Sequence, residues 1–550
     1  MTLVLSREAA SAPPEAVPQS AEPSPVVEQP RWPWVLAALA FVQYTYVGWW
    51  LISVKHYIIS DAAMRTITAQ LTIFSRDPHL GAIGFYWMPL PALARIPALL
   101  VLQPFGKAIY AGAVTSAMFA ALTVPVLVRI GRTLDAPRWL IASGVACFVL
   151  NPVVVFSAAC GMSETAFAFG VSVALLGFVR WHRRQTTWNL VRLALGIGLA
   201  GLMRYEAWII GGMLAVAASL YAPKDRRGPT FIVAVMPLLA VIQGWLVVSR
   251  MIMGDALYFF HVSKSTNPTP EGAQWVPKVF DLAHSAVYTF GVFFAFGPAL
   301  VLVLVACLVD FRSWRGSLGI VGASFITTVW LAQQLAGHHT WAVPRFFFLT
   351  PMFAVAGVFF AQSLPGLRAR HANGFVASAG VALLALGMVT AALYLSSPNR
   401  TWAEGESAIV RSLIGTAGAD DGRTVTDSGS NRIFIGDLRP FLAFTRDVDG
   451  ELAKGKKIAM DSLQGVPLLL TRHPKQWIVP EDRDFEQITS DPVGRFDYIA
   501  FISGAQPDRY TQTLRNIVGS HDGGTWKLLG DYGGRMELYK FVPTPVGAAP

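Results

Sequence analysis

The stretch IGFYWMPLPALARIPALLVLQP, residues 83–104, decides how this chain is threaded through a membrane. It is apolar and long enough to cross a bilayer as a helix, which takes roughly 20 residues. It also contains one arginine, Arg95, and four prolines, Pro89, Pro91, Pro97 and Pro104. Taken alone, this stretch leaves open both a path across the membrane and a path along its surface.

The composition of the whole chain is that of a multi-span membrane protein. Of its 550 residues 53% are hydrophobic and only 14% are charged, and the mean hydropathy is +0.46. Soluble domains usually carry about 25% charged residues. The formal net charge of +10 therefore favours basic cytoplasmic loops that fix the orientation of the spans, and not binding to nucleic acid.

Eleven other apolar runs are predicted to span the membrane as helices. The least certain boundary lies between Arg204 and Glu206, where we expect a turn at the surface because charges at the bilayer centre are unfavourable. The predicted spans are residues 34–54, 108–128, 139–157, 163–181, 190–205, 206–222, 229–249, 285–309, 316–336, 346–363 and 373–396.

The distribution of arginine and lysine favours a non-crossing path for residues 83–104. If this stretch lies along the surface, all the basic loops fall on one side, which the positive-inside rule assigns to the cytoplasm. If it crosses, the same loops face outward. These basic loops are residues 129–138, 180–185, 223–228, 310–315 and 366–371. We therefore expect eleven spans in a multi-pass protein of the cell membrane, with a cytoplasmic N-terminus and an extracytoplasmic C-terminus.

The fold class expected is mainly α, a polytopic helical membrane protein with a small C-terminal α/β domain. Residues 1–33 are predicted to be a disordered cytoplasmic tail, because they are rich in Pro, Ala, Glu and Ser. Residues 34–396 form the transmembrane domain, and 55–107 its first external loop, with two interfacial helices. Residues 397–550 are mixed and polar and contain no run of span length, so we expect them to form the extracytoplasmic α/β domain.

Ionisable residues at membrane depth are a functional hypothesis by default, and in this topology many of them fall at the outer surface. Each also has a structural alternative. Glu164 and Arg204 can form an ion pair between helices, Lys264 and Arg345 can reach lipid headgroups, and Asp61 can be a helix cap. The residues that we expect to gather there are Asp61, Asp77, His79, Glu164, Arg204, Glu206, Lys264, His338, His339 and Arg345.

The chemistry of such a layer suits a lipid phosphate and a sugar. Arginine and lysine bind phosphate oxygens, and a carboxylate can take the proton of an acceptor hydroxyl as a bond forms. Adjacent histidines such as His338 and His339 seldom coordinate together, so zinc is not favoured. The three cysteines show neither metal-ligand spacing nor a disulfide framework. We expect no cofactor and do not favour a divalent metal, although the sequence leaves the metal requirement open.

With these residues in view, the chain resembles the GT-C glycosyltransferases, which are polytopic enzymes that use polyprenyl-phosphate sugars. The resemblance rests on the acid of SDAAMR (60–65) after the first span, the proline-rich stretch in the same loop, RYEAW (204–208), and the C-terminal domain. It is greatest for the family 39-type and RgtA/B/C/D-like branch, which includes lipid A aminoarabinose transferases and protein mannosyltransferases. The resemblance implies that Asp61 is the catalytic base.

Two departures from the family pattern bear on mechanism. Many members carry a second acid directly after the first, and here that residue is Ala62, which favours a metal-independent mechanism. The WWDYG signature of oligosaccharyltransferases is absent, so transfer of a preassembled glycan to asparagine is not expected.

The function predicted is an inverting glycosyltransferase that moves a sugar from a polyprenyl-phosphate donor to an extracytoplasmic glycan, lipid or protein. Asp61 is the expected base, and His338 assists the leaving phosphate. The other candidates bind substrate: Arg204, Lys264 and Arg345 the donor phosphate, Glu164 and Glu206 those cations or the sugar hydroxyls, with Asp77, His79 and His339 nearby.

Two rival functions remain. The first is a transporter or flippase of lipid-linked saccharides, for which paired halves are expected; the sequence shows no internal repeat. The second is a non-catalytic scaffold that presents the C-terminal domain.

Overall fold

The computed structural model describes residues 31–261, 282–310, 318–337, 344–397, 404–415, 435–461, 465–502, 509–520, 524–534 and 536–544. Three of the predicted site residues, Lys264, His338 and His339, lie outside these ranges.

Helices make up most of the described chain up to residue 396. They are α1 Trp32–Ser53, α2 Ser60–Phe74, α3 Leu90–Leu93, α4 Ile96–Leu102, α5 Ala111–Thr133, α6 Arg138–Val149, α7 Pro152–Ala159, α8 Glu164–Arg183, α9 Thr187–Gly201, α10 Glu206–Tyr221, α11 Arg227–Met253, α12 Leu282–Phe296, α13 Ala299–Val309, α14 Ala323–Ala336, α15 Leu349–Gln362, α16 Pro365–Ala369 and α17 Asn373–Ser396.

Within the described ranges, seven helices are long and apolar enough to cross a membrane, or up to nine if each of two bent pairs is one span. The bent pairs are α6 with α7, at 54°, and α12 with α13, at 93°. Two further predicted spans, 190–205 and 206–222, correspond to α9 and α10, which are shorter, at 15 and 16 residues. The helical membrane architecture is confirmed, and the sharp bends show why apolar length alone overstates the number of straight spans.

The stretch 83–104 folds as short helical pieces that are too short to cross a membrane. Helices α3 and α4 each carry a proline in their first two positions, and a 3-10 turn, Gln103–Phe105, contains Pro104. Proline is tolerated at a helix start but removes a hydrogen bond from a helix interior. The prolines therefore divide this stretch into short helical pieces, and its path along the membrane surface stays a prediction.

One end of the helix bundle collects the basic loops. The carboxylate of Asp135, just after α5, lies 3.0 Å from Arg183 at the end of α8 and 3.9 Å from Arg368 in α16. The guanidinium of Arg129 stacks on Trp34 near the start of α1, at 5.7 Å from the ring centroid. The N-terminus of α1 and three basic loops therefore share one end.

The two remaining basic loops lie at the same end. Gln185 donates a hydrogen bond to the carbonyl of Tyr221, at 3.1 Å, which connects the loop after α8 to the loop after α10. The carboxylate of Asp310 accepts a hydrogen bond from the backbone N–H of Gly366, at 2.8 Å. The grouping of the basic loops agrees with the sequence, and the assignment of this end to the cytoplasm stays a prediction.

The C-terminal region contains helices and a mixed sheet. Its helices are α18 Glu404–Leu413, α19 Leu438–Leu452, α20 Val466–Leu470, α21 Phe485–Ser490 and α22 Arg509–Gly519. Its strands are β2 Ile435–Asp437, β3 Ile458–Met460, β4 Trp477–Ile478, β5 Tyr498–Ile502, β6 Gly524–Asp531 and β7 Met536–Pro543. The five-stranded sheet has the order β4-β3-β5-β7-β6, with β3 parallel to β4 and β5, and β7 antiparallel to β5 and β6.

The C-terminal region packs on the first loop (residues 55–107) through shared backbone and core contacts. Strand β1, Tyr57–Ile59, pairs antiparallel with β2, so that Ile58 lies opposite Gly436. One hydrophobic cluster joins buried residues of the first loop, such as Ile67, to buried residues of the C-terminal region, such as Phe444. The two parts of the chain therefore form a single packed unit around α2.

A buried amide network reinforces this contact on α2. The side-chain N–H2 of Gln70 donates to the side-chain oxygen of Gln103, at 2.5 Å, and to the carbonyl of Leu468, at 2.7 Å. Gln103 in turn donates to the carbonyl of Thr471, at 3.1 Å. Buried polar groups need such partners, so these bonds fix the position of α2 against α20.

Beyond the end of α2, ion pairs tie the first loop to the loop before α21. Arg76 contacts Asp484 and lies 3.1 Å from Asp482, whose side chain is only 1% exposed. Asp77 lies 2.5 Å from Arg483. The hydrogen bonds from Arg483 hold the pKa of Asp77 well below its ordinary value, whereas burial raises the pKa of Asp482.

Replacing Arg76 tests whether these ion pairs stabilise the contact. Arg76→Ala should lower the midpoint of thermal unfolding in detergent, because it leaves the buried carboxylate of Asp482 without its cation, a loss of roughly 3 kcal/mol. The matched control is Arg483→Ala, which removes a guanidinium that is 71% exposed and should cost about 1 kcal/mol or less. Equal shifts for the two variants would contradict this account.

Candidate active site

Three helix starts place three carboxylates close together. Asp61, Glu164 and Glu206 lie in the first turns of α2, α8 and α10. A helix N-terminus carries partial positive charge from its free N–H groups, which stabilises a nearby carboxylate. This local effect helps to explain how acidic residues are accommodated beside apolar helices.

Two arginines connect the three carboxylates into one network. Arg204, in the turn between α9 and α10, lies 3.0 Å from Glu164 and 2.6 Å from Glu206. Arg345 belongs to a 3-10 turn, Pro344–Phe347, just before α15. It lies 2.5 Å from Asp61 and 4.0 Å from Glu164. We call these five residues the charge network.

Burial distinguishes the members of the charge network. The side chains of Glu164 and Arg345 are 4% and 7% exposed, whereas that of Asp61 is 31% exposed. A narrow crevice of about 10 Å³ adjoins Glu164 and Arg204, room for about one water molecule. Asp61 is therefore the member of the network most accessible to a ligand.

Arg65 is a further cation at this site, and the sequence interpretation missed it. Its side chain lies over the ring of Trp87, 4.1 Å from the centroid, and the residue is only 7% exposed. Among the described residues it forms no ion pair and its guanidinium donates no hydrogen bond. A buried guanidinium with unused donors is suited to bind an anion.

The charges around Arg65 place it next to the network. Burial lowers the pKa of Arg65 to about 10, and Arg204 acts in the same direction, whereas the carboxylates of Glu164, Asp61 and Glu206 oppose this shift. The signal that could have found it is spacing. Residues four apart share one face of a helix, so Asp61 and Arg65 project from the same face of α2.

A buried arginine, Arg95, forms hydrogen bonds with the first turns of α2. Arg95, which is 2% exposed, donates to the carbonyl of Ala62 at 2.8 Å, to the hydroxyl of Thr66 at 2.8 Å and to the carbonyl of Gly161 at 2.6 Å. These bonds hold the first turn of α2 against the segment that precedes α8. The residue after Asp61 is an alanine, Ala62, and it is buried. This position therefore offers the site no second carboxylate.

Aromatic side chains hold the rest of the first loop beside the site. Phe85 stacks on Trp245 of α11, with 4.8 Å between centroids. The indole N–H of Trp245 donates to the hydroxyl of Tyr205, at 3.2 Å, and that hydroxyl donates to the carbonyl of Tyr86, at 3.3 Å. These contacts position Trp87, and with it Arg65, relative to α10.

The structure brings five of the predicted site residues together, namely Asp61, Glu164, Arg204, Glu206 and Arg345. Asp77 and His79 lie beyond the other end of α2, a helix length of roughly 20 Å from Asp61. There Asp77 pairs with Arg483, and the His79 ring lies 3.7 Å from Asp77. Their contacts belong to the interface with the C-terminal region.

The remaining predicted residues, Lys264, His338 and His339, fall outside the described residues, so their roles stay predictions. Within the described residues, no group of three or more His, Cys, Asp and Glu side chains is arranged to hold a metal ion.

Solved structures with the same arrangement of helices identify the fold. Two crystal structures of ArnT from Cupriavidus metallidurans, one bound to undecaprenyl phosphate and one in the apo state, align with TM-scores of 0.55 and 0.56. Each alignment covers 92% of this chain and 97% of ArnT, at 12% identity. This chain has a GT-C fold. The resemblance seen in the sequence is thereby confirmed at the level of the fold.

Other comparisons add little. The structure of arabinofuranosyltransferase AftD from Mycobacteria covers 94% of this chain and 40% of that chain at 14% identity, with a TM-score of 0.41, too low to support a conclusion. The chain matches no protein-family model and no curated protein sequence.

Two substitutions should separate the arginine that pairs with carboxylates in the described residues, Arg204, from the arginine that forms no ion pair there, Arg65. Arg204→Ala removes the cation that Glu164 and Glu206 share, at 3.0 and 2.6 Å. Among the described residues it leaves the buried carboxylate of Glu164 with the more distant Arg345, at 4.0 Å, and it should destabilise the protein by roughly 3 kcal/mol. Arg65→Gln breaks no ion pair within the described residues and should leave the midpoint of thermal unfolding nearly unchanged. A larger loss of stability for Arg65→Gln than for Arg204→Ala would refute this distinction.

Proposed function

We propose that the protein is a membrane glycosyltransferase that moves a sugar from a polyprenyl-phosphate donor to an acceptor at the end of the bundle opposite the basic loops. The observation that carries this proposal is the placement of Asp61 and Arg65 on one face of α2. One face of α2 presents the most exposed carboxylate of the charge network and a buried arginine with unused donors. A transferase of this type needs a base and a phosphate-binding cation in that arrangement.

Arg65 is the principal donor-phosphate residue in this proposal. Arg204 and Arg345 form ion pairs with the carboxylates of the network. They therefore hold these carboxylates in place and contribute positive electrostatic potential around the phosphate. Support comes from ArnT, which has the same fold and was solved with undecaprenyl phosphate bound. Lys264, in the segment after α11, is proposed to add a further positive charge to the donor site.

Asp61 is proposed to act as the general base. It takes the proton of the acceptor hydroxyl as the oxygen attacks the anomeric carbon of the donor sugar. The bond between that carbon and the phosphate oxygen breaks, and the polyprenyl phosphate leaves with the electron pair. This single displacement inverts the anomeric centre. Arg345 holds one oxygen of Asp61 at 2.5 Å, so the carboxylate is oriented before substrate arrives.

The other predicted residues have supporting roles in this proposal. Glu164 and Glu206 orient Arg204, while His338 and His339 lie on the segment before Arg345, where His338 would assist the leaving phosphate. Since Ala62 offers no second acid, the proposed mechanism relies on arginines for the phosphate charge. We propose the cell membrane as the location, with the N-terminus cytoplasmic and the site and C-terminal domain extracytoplasmic.

The base is tested by Asp61→Asn in an assay with a panel of radiolabelled polyprenyl-phosphate sugars. Loss of a general base should lower turnover by roughly a hundredfold or more, with the thermal midpoint maintained. Asp77→Asn is the matched control, because Asp77 is on the same loop but pairs with Arg483, and it should retain activity. Near-normal turnover by the Asp61 variant would eliminate it as the base.

The donor-phosphate role is tested by Arg65→Gln in the same assay. Losing a charge-assisted hydrogen bond should raise the KM for the donor about tenfold or more, with a smaller change in kcat. Lys527→Gln, on the exposed face of β6, is the control for loss of one positive charge. An unchanged donor KM for the Arg65 variant would remove Arg65 from the donor site.

A further inference from the structure

A second cavity is lined by residues of α1, the first loop, α19 and α20, none of which belongs to the charge network. Its volume is about 500 Å³, and it opens where the end of α1 meets α19 and residues 106–110. The lining residues are Trp49, Ile52, Ser53, His56, Gly106, Lys107, Ile109, Tyr110, Leu438, Leu442, Thr445, Arg446, Asp449 and Leu470. We call this cavity the α1–α19 cleft.

The polar lining of the α1–α19 cleft is positive on balance. Lys107, in the first loop, and Arg446, on α19, both line it and are exposed, and within the described residues neither forms an ion pair. The acid of the cleft, Asp449, is engaged by the hydroxyl of Thr471 and by the backbone N–H of Arg472. The cleft therefore offers two available cations to an anionic ligand.

His56 adds a second indication of a built site. It lines the cleft with φ of +58°, a left-handed conformation that non-glycine residues rarely adopt. Its carbonyl accepts a hydrogen bond from the backbone N–H of Leu438, at 2.9 Å. Strained backbone persists where the surrounding structure fixes it, and it is common at binding sites. His56 lies between the end of α1 and the start of β1.

The apolar side of the cleft continues onto the bundle surface. Leu39, Val42, Tyr46 and Trp49 follow one face of α1 at helical spacing and are 47% to 64% exposed. Trp49, the last of them, is also part of the cleft lining. Tryptophan near the end of a span is typical of the boundary between lipid tails and headgroups. A lipid whose chains lie along this face of α1 would bring its headgroup to the cleft.

We propose that the α1–α19 cleft binds the headgroup of an anionic membrane lipid, with Lys107 and Arg446 contacting the headgroup charge and the lipid chains lying along α1. This site is separate from the donor-phosphate site at Arg65, and it does not depend on the proposed reaction. A lipid bound there contacts both α1 and α19, and so bridges the bundle and the C-terminal region.

The test is a lipid titration of the full-length protein in detergent, followed by native mass spectrometry. Phosphatidylglycerol is the anionic probe and phosphatidylcholine the zwitterionic one. The double variant Lys107→Glu with Arg446→Glu should weaken the first phosphatidylglycerol binding event about tenfold or more. The control, Lys475→Glu with Lys527→Glu, changes the net charge equally at exposed positions outside the cleft and should bind like the wild type.

Three results would overturn the proposal: unchanged binding in the cleft variant, equal weakening in both double variants, or equally tight binding of phosphatidylcholine by the wild type. If the glutamate variant does not fold, Lys107→Gln with Arg446→Gln removes the same charges without reversing them, and the same outcomes apply. Free inorganic phosphate added in excess should not displace the lipid; displacement would indicate a simple phosphate site. The readout is binding, so it does not depend on whether the glycosyl transfer proposed above is correct.

Discussion

The site depends on the pairing of five alternating charges, Asp61, Arg345, Glu164, Arg204 and Glu206, among apolar helices, with Glu164 and Arg345 buried at its centre. Isolated buried charges are strongly unfavourable, and they become acceptable only when they are paired and hydrogen-bonded. The chain supplies the carboxylates at helix starts and the arginines in the turns beside them. The arrangement then requires the starts of α2, α8 and α10 and the turn before α15 to meet at one point.

The same constraint explains why the first loop is built so rigidly. Helix α2 carries Asp61 and Arg65, yet it is not one of the membrane-spanning helices. It is held near its start by Arg95, near its end by the amide network of Gln70, and beyond its end by the ion pairs of Arg76. Two of these three supports come from the C-terminal region, which therefore helps to position the site while lying apart from it.

Some residues of the candidate active site can be recognised in the sequence, and others cannot. Asp61 was recognised because it follows a long apolar run, and Glu164, Arg204 and Glu206 because charge inside apolar sequence is unusual. Asp77 and His79 share that signal, but they are placed beyond the far end of α2, where Asp77 pairs with Arg483. No local pattern distinguishes these cases, because the partner of Asp77 is about four hundred residues away in the chain. Arg65 was missed because an arginine inside an amphipathic helix looks like any solvated side chain.

By itself, the sequence determined the membrane class, the division of residues 83–104 by prolines and the grouping of the basic loops. These properties follow from local hydrophobicity, from proline's missing N–H and from the placement of arginine and lysine, all of which act over short distances along the chain. Only the tertiary structure decided which charged residues meet, that α2 is shared between the bundle and the C-terminal region, and that α6–α7 and α12–α13 are bent. The physical reason is that charge pairing and core packing depend on distances in space between residues that are remote in the chain.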